Sequence, residues 1–326
     1  MDLSVVVPVY NEKESVEKLC ERLHASLSRI QRSYEIILVD DGSTDTTWSL
    51  MVACAERYPH LRLLRFRRNF GQTAAMSAGF HHAKGDVVVT LDADLQNDPD
   101  DIPKLLERMD QGCDVVSGWR KDRKDPFINR RLPSIIANWL ISRITGVYLH
   151  DYGCTLKAYR RDVIQDVHLY GEMHRFIPAL ASWVGGRIDE VVVGHHARQF
   201  GQSKYGISRT VRVILDLITV KFLLRYSMGP MQMFGKIGLF FALPGLLLFA
   251  IMISGHVSFL LFDTVLGSEL VKRPFWLVSA TMLVFLGMQF ISMGLLAEIQ
   301  IRTYHETQSK RTYLIRETHQ SPSDAG

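Results

Sequence analysis

The sequence predicts an α/β domain on a mainly parallel sheet, followed by amphipathic helices and two membrane-spanning helices. Three observations carry this. Up to Arg120, short β-branched runs alternate with amphipathic helical stretches. Just past Arg120 the composition turns basic, and near the C-terminus two long segments contain no charged residue. Strand–helix alternation implies crossover connections, which cover both faces of a sheet whose strands mostly run the same way.

The strands are expected at residues 4–9, 35–40, 61–66, 87–92 and 115–119. Between the first two, Val16, Leu19, Cys20, Leu23, Leu27 and Ile30 recur at helical spacing. Residues 45–57, 72–83 and 100–111 also read as helices, the last preceded by Pro99 and opening on acidic residues. A basic loop follows with Lys121, Arg123, Lys124, Arg130 and Arg131, then a helix over 132–144 and a further strand over 188–195. Ligands in open α/β sheets sit beyond the carboxyl ends of the strands, so the chemistry is sought there.

Residues 237–262 and 274–297 are uncharged throughout. Both exceed the roughly 20 apolar residues that cross a bilayer core. Two buried core helices are the alternative, and the length and uniformity of the runs speak against them. Pro244, Gly245 and His256 are candidate points of kinking or shortening in the first span. Ahead of it, residues 208–226 set Val211, Ile214, Leu215, Ile218 and Phe222 against Arg209, Arg212, Asp216 and Arg225. Such a helix packs on the domain or lies in the membrane interface, and its place beside a span favours the interface. The resulting division is an α/β domain over 1–206, amphipathic juxtamembrane helices over 207–235, two spans over 236–298 and a tail over 299–326. Both ends are expected in the cytoplasm, since no signal segment precedes the first strand and Lys236, Arg302, Lys310, Arg311 and Arg316 flank the spans. Lys272 and Arg273 between the spans count against that orientation. The tail cations read as a lipid-headgroup patch.

Composition excludes some classes. The 326 residues have a mean hydropathy near zero only because apolar residues are concentrated in the last third. A net charge of +4 is too mild to indicate nucleic-acid binding. Cys20, Cys54, Cys113 and Cys154 form no CxxC pair, so reduced, buried thiols are expected rather than a zinc or disulfide framework.

The strongest local signal is Asp92-Ala93-Asp94 at the end of Val87-Val88-Val89-Thr90-Leu91. In an extended strand residues two apart point the same way, so both carboxylates face one site. Paired carboxylates repel unless a cation lies between them, and hard oxygen donors suit Mg²⁺ or Mn²⁺, with Gln96 able to add a ligand. Asp40-Asp41-Gly42-Ser43 and Pro8-Val9-Tyr10-Asn11-Glu12 end two other strands. Taken singly, each is explained as well by turn chemistry before a helix. Three polar clusters at three strand ends are better explained by one ligand crevice. His195 and His196 read as a strand-end turn, and His81 and His82 as helix surface.

Together, PVYNE, DDGS and DADLQ at these spacings resemble the family 2 glycosyltransferases. Arg68-Asn69-Phe70-Gly71-Gln72, Asp151-Tyr152-Gly153-Cys154, the run Phe200 to Tyr205 and the two spans narrow the resemblance to polyprenyl-phosphate glycosyltransferases. The local run DYGC followed by Arg160 and Arg161 is most similar to the aminoarabinose transferases. The resemblance implies a GT-A (Rossmann-like) fold and inverting transfer from a nucleotide diphosphate sugar to a polyprenyl phosphate at the cytoplasmic membrane face. It implies nucleoside contacts at Pro8, Tyr10, Glu12, Asp40, Asp41 and Asp92, and a divalent metal on Asp92, Asp94 and Gln96. It places donor or acceptor phosphates at Arg120, Lys121, Arg123, Arg130, Arg198, Ser203 and Lys204. Asp151 matches a position of base or acceptor-site type, and a homo-oligomer, often a tetramer, is expected by resemblance.

Physical chemistry bears on Asp151 independently. A polyprenyl phosphate is already anionic near neutral pH, with a second pKa of about 6. Such a nucleophile needs cations and positioning more than a base. Asp151 is therefore expected to orient a cation or the sugar, with Asp94, Asp151 and Arg120 nearest the chemistry. The competing readings are transfer to a glycan or protein acceptor, and a non-catalytic membrane scaffold.

Overall fold

The structure is a computed structural model. It describes residues 1–121, 132–165, 173–183, 185–196, 216–217, 219–222, 226, 229–262 and 274–308. The chain divides into two units, Met1–Lys221 and Phe222–Gly326. Of the juxtamembrane stretch expected over 208–226, residues 216–217, 219–222 and 226 are described, as helix, and the rest lies outside the described residues.

The first unit holds a seven-stranded sheet: β1 (Leu3–Val9), β2 (Tyr34–Asp40), β3 (Leu61–Arg65), β4 (Val87–Thr90), β5 (Val115–Trp119), β6 (Lys157–Arg160) and β7 (Ile188–Val192). Their order is β3-β2-β1-β4-β6-β5-β7. β1 runs parallel to β2 and β4, β2 to β3, and β5 to β7. β6 lies antiparallel between β4 and β5. The sheet is mainly parallel, as expected from the sequence, with β6 alone among the described strands running the other way. The chain reaches β6 straight from the ligand side, through the turn at 150–154, and from there it can only run back against its neighbours.

Helices cover both faces. Leu3, Val5, Val7 and Val9 of β1 share a core with α1 (Val16–Leu27), α2 (Thr47–Arg57) and α4 (Ile102–Asp110). Val6, with Ile37 and Val39 of β2, faces α3 (Gln72–His82), α6 (Arg161–Gln165) and α7 (Ile177–Trp183). Each fully buried aliphatic side chain contributes roughly 1.5–3 kcal/mol. The four cysteines are buried and unbridged.

Several boundaries differ from the sequence reading. β4 stops at Thr90, whose hydroxyl turns to the Thr155 carbonyl at 2.7 Å. Residues 100–111 divide into a 3₁₀ turn (Pro99–Asp101) and α4. Asp98 caps that turn by accepting from the Asp100 N–H. β7 ends at Val192, and His195 keeps one bridge to Asn97. α5 (Leu132–Thr145) leaves Ile135, Ile136 and Trp139 exposed.

At the opposite end of the strands, buried Glu35 accepts from the Ser4 hydroxyl (2.7 Å), the Lys84 N–H (2.8 Å) and Arg62 (2.8 Å). Burial works against its ionisation, yet these three donors together hold its carboxyl below the usual range.

The second unit contains two long helices, α8 (Pro230–Phe262) and α9 (Pro274–Gln308), with stretches apolar and long enough to cross a membrane over Pro230–Leu261 and Pro274–Ile301. α8 continues unbroken through Pro244. Glycines of both helices are contact points. A Cβ on Gly287 would lie 2.6 Å from the Gly238 carbonyl oxygen, and one on Gly245 2.9 Å from the Val284 nitrogen. Small residues let two helices approach backbone to backbone, which is how helices associate where no water drives them together. Leu239, Phe240, Leu243, Leu247 and Leu260 are exposed, a surface suited to hydrocarbon.

Two outcomes follow. Gly287→Leu is expected to destabilise the helix pair by roughly 1–3 kcal/mol, read as a lower melting temperature in detergent, while Phe240→Leu leaves it unchanged. Glu35→Gln is expected to cost roughly 1–3 kcal/mol. The folded pKa of Glu35 is depressed, so its contribution is present above the unfolded carboxylate pKa and disappears as pH falls through the folded value. Acid melting curves of the wild type should therefore converge on those of Glu35→Gln.

Candidate active site

The site lies past the C-terminal ends of the strands. After β1, Asn11 adopts a left-handed backbone (φ 53°) and its side-chain oxygen accepts from the Thr44 N–H at 2.9 Å. The Glu12 N–H donates to the Thr47 hydroxyl, and its carboxylate accepts from Ser15 at 2.8 Å. After β2, buried Asp40 accepts from the Ser43 N–H at 2.9 Å and lies 3.2 Å from Arg65 Nε. Asp41 accepts from the N–H groups of Phe70 (2.7 Å) and Gly71 (2.9 Å), fixing the Arg68–Gln72 loop against the crevice. Burial raises the Asp41 carboxyl, and those two N–H donors oppose the rise. Gly42 (φ 71°) sits where a Cβ would come 2.4 Å from the Arg68 carbonyl carbon, so the turn tolerates only glycine. Pro8 and Tyr10 border the same edge, half-buried.

The Asp92–Gln96 segment is a turn rather than extended strand, with Leu95 at φ 61°. That corrects the geometry expected for the two carboxylates. Alternation nonetheless persists: Leu91, Ala93 and Leu95 are buried, while Asp92, Asp94 and Gln96 are half-buried. Gln72 Nε2, from the start of α3, donates to Asp92 Oδ1 at 2.7 Å. Asp94 accepts from the Gln96 N–H, and Gln96 Oε1 faces His195 Nε2 at 3.3 Å. Burial and the neighbouring Asp94 push the Asp92 carboxyl up to about 6, against the Thr155 hydroxyl and the charges of Arg120 and Lys157.

Among the described residues no group of three or more His, Cys, Asp or Glu gathers as a metal site. Two carboxylates and an amide oxygen do suit Mg²⁺ or Mn²⁺, which take one or two carboxylates and complete their shell with water and substrate phosphate. The strain between Asp92 and Asp94 is the kind a divalent cation relieves, so the residues fit such an ion.

Across from them, Arg120 at the end of β5 makes a bidentate pair with Asp151, Nε to Oδ2 at 2.7 Å and Nη2 to Oδ1 at 3.0 Å. Their side chains are only 11% and 3% exposed. Burial alone would lower the arginine, but the Asp151 pair outweighs it and raises Arg120 above its ordinary value. Lys121 is exposed, its ammonium 5.8 Å from the Trp119 ring, and Trp119 stacks on His150 at 4.1 Å.

Of the residues singled out in the sequence, Asp92, Asp94, Gln96, Arg120 and Asp151 line this crevice. Pro8, Tyr10, Glu12, Asp40 and Asp41 border it from β1 and β2, with Asp40 and Asp41 engaged in holding loops. Arg123, Arg130, Arg198, Ser203 and Lys204 lie outside the described residues. The sequence reading named Gln72 only within the 68–72 run, without its contact to Asp92, and missed Thr155, Lys157 and Glu190. Lys157 did carry a signal, a lone charge in the run Leu156-Lys157-Ala158-Tyr159 directly behind the DYGC motif.

The profile described as Glycosyl transferase family 2 matches residues 4–167. The dodecaprenyl-phosphate galacturonate synthase of Rhizobium johnstonii is 46% identical over 336 residues, spanning 100% of this chain and 95% of that protein. The undecaprenyl-phosphate 4-deoxy-4-formamido-L-arabinose transferase of Edwardsiella ictaluri is 39% identical over 315 residues, spanning 96% and 93%. Among solved structures, glucosyl-3-phosphoglycerate synthase from Mycobacterium tuberculosis, in complex with Mn²⁺, UDP and phosphoglyceric acid, is similar with a TM-score of 0.54. That likeness covers 68% of this chain and 78% of that one at 18% identity, and speaks for the shared fold alone. With a profile match on half its length and relatives aligned end to end, the chain belongs to glycosyl transferase family 2, in the group these prenyl-phosphate sugar transferases represent.

Proposed function

We propose that the chain transfers a sugar from a uridine diphosphate donor to a polyprenyl phosphate at the cytoplasmic face of the membrane, with inversion at the anomeric carbon. The carrying observation is the buried Arg120–Asp151 pair beside the Asp92–Asp94 pair, a cationic and an acidic subsite in one crevice. The full-length relation to two prenyl-phosphate sugar transferases supports the acceptor class, and the 46% identity makes galacturonic acid the first donor sugar to try. The long apolar helices α8 and α9 support a membrane-bound protein, and the exposed Ile135, Ile136 and Trp139 of α5 suit a lipid surface.

On this reading the acceptor phosphate oxygen attacks the anomeric carbon as the bond to the donor diphosphate breaks, and the nucleoside diphosphate leaves with the bonding pair. No proton needs removal, because the acceptor is already ionised. Arg120 draws in the acceptor phosphate, its fork held in place by Asp151, and Lys121 adds charge at the rim. Gln72 orients Asp92. A divalent ion held by Asp92, Asp94 and Gln96 would supply charge stabilisation at the leaving diphosphate.

A panel of UDP-sugars, UDP-galacturonic acid included, offered with prenyl phosphates and scored for lipid-linked product tests the proposal. One dominant donor is expected. Turnover that persists in excess EDTA, with soluble alcohols preferred to lipid phosphates, would overturn it. Asp94→Ala is expected to lower turnover by roughly a hundredfold or more while the protein stays folded and membrane-bound.

A pH signature accompanies the metal assignment. The folded pKa of Asp92 is raised, so the stability linked to its protonated form is complete below the unfolded value and is lost as pH rises through about 6. A divalent cation offsets that loss. Mn²⁺ should therefore raise the melting temperature more at about pH 7.5 than at about pH 5, and Asp94→Ala should remove most of the difference.

A further inference from the structure

We infer that Glu190 and Lys157 are positioning residues for transfer, clamping the 150–154 turn from its two sides so that Asp151 holds Arg120 in one orientation. The inference rests on the reading of Arg120 as the group that receives the acceptor phosphate.

The turn joins α5 to β6 and is held at both ends by charge. On its N–H side, Glu190 of β7 accepts from the backbone N–H groups of His150 (2.8 Å) and Asp151 (3.2 Å), and from His150 Nδ1 (2.8 Å). On its carbonyl side, Lys157 of β6 donates to the carbonyl oxygens of Tyr152 (3.0 Å) and Cys154. Between the two, Asp151 Oδ1 accepts from the Gly153 N–H at 3.1 Å and pairs with Arg120. The carboxylate thus meets the donor end of the turn and the ammonium its acceptor end. Both hydrogen-bond sets are charge-assisted, and they resist rotation of peptides on either side of Asp151.

Stability is a poor explanation for this arrangement. Lys157 is 3% exposed, and burying an ammonium costs several kcal/mol, which two carbonyl partners only offset. Neutral donors would satisfy the same carbonyls more cheaply. The turn also has somewhere to go. A cavity of about 320 Å³, lined by Tyr148, Leu149, Ser182, Asp189 and Glu190 among others, adjoins it. With either clamp removed the turn can relax toward that space and carry Asp151 off the guanidinium. A misplacement of about 1 Å costs on the order of a hundredfold in rate.

The test uses the full chain in detergent, with Glu190→Gln and Lys157→Met made alone and in an Asp151→Asn background. Rates are measured against prenyl phosphate and donor separately, alongside melting temperatures. Each single variant is expected to lower kcat/KM for the prenyl phosphate about tenfold while the donor KM changes by less than about twofold. In the Asp151→Asn background the same substitutions should cost less than about threefold more, because the turn no longer has a partner to position. Equal losses toward both substrates that track melting temperature, or full additivity with Asp151→Asn, would overturn the inference while leaving the proposed function standing. Should Lys157→Met fail to accumulate as folded protein, the near-isosteric Glu190→Gln decides alone. A wild-type chain that yields no lipid-linked sugar from any donor would remove the proposed function first, and this inference with it.

Discussion

β6 runs against its neighbours, and the composition of the crevice depends on that reversal. A parallel strand between β4 and β5 would begin at the far edge of the sheet and place its last residues at the ligand side. Because β6 starts at the ligand side instead, Lys157 pairs with Thr90 at the very end of β4. Thr155 then lies within reach of Asp92 and Asn97. The turn that feeds β6 sits on the floor of the crevice, which is why Asp151 can meet Arg120 at the end of β5.

The crevice carries both signs of charge in close quarters, and unconstrained groups of this kind would collapse onto one another. Several neutral partners prevent it. Gln72 takes one oxygen of Asp92, the Gly153 N–H shares Asp151, and backbone N–H groups occupy Asp41. The Arg120–Asp151 pair is buried deeply enough that desolvation cancels much of its attraction. Its value lies in direction: a fork-to-fork pair fixes a guanidinium plane as a single hydrogen bond cannot. The carboxylate pair works the opposite way, keeping a repulsion in place that Arg120 and Lys157 only partly offset and that an added cation or a proton would relieve.

Strand–helix alternation was legible up to β5 because each strand there carries an aliphatic stretch and is set off by turn residues. β6 was not, since Lys157-Ala158-Tyr159-Arg160 has neither a β-branched run nor a clean alternation; its partners on both sides make it a strand. The spans could be read from length, although α9 continues past Glu298, because a helix need not end where its apolar run does. At the site, the acidic motif announced its residues but not its backbone. Leu95 in the left-handed region is a local choice imposed by the loop around it. The roles of Gln72, Thr155 and Glu190 were hidden for a common reason: each reaches its partner through the sheet order, which spacing along the chain does not encode. Lys157 instead bonds carbonyls three and five residues back, a turn whose shape the spacing alone does not give.

Under the proposed function, the same geometry bears on how a lipid phosphate would be preferred to water. Water reaches any crevice that a charged lipid headgroup can enter, and it is a competing nucleophile at the anomeric carbon. To attack it must lose a proton, and a carboxylate free to accept that proton would make hydrolysis competitive. Asp151, the carboxylate beside Arg120, has its oxygens engaged by the guanidinium and by the Gly153 N–H. A phosphate monoester arrives already ionised, needs no such acceptor, and is attracted by the very cation that occupies the carboxylate. On the proposed function, holding Asp151 on Arg120 would serve two ends at once: aiming the cation at the phosphate and withholding a base from water.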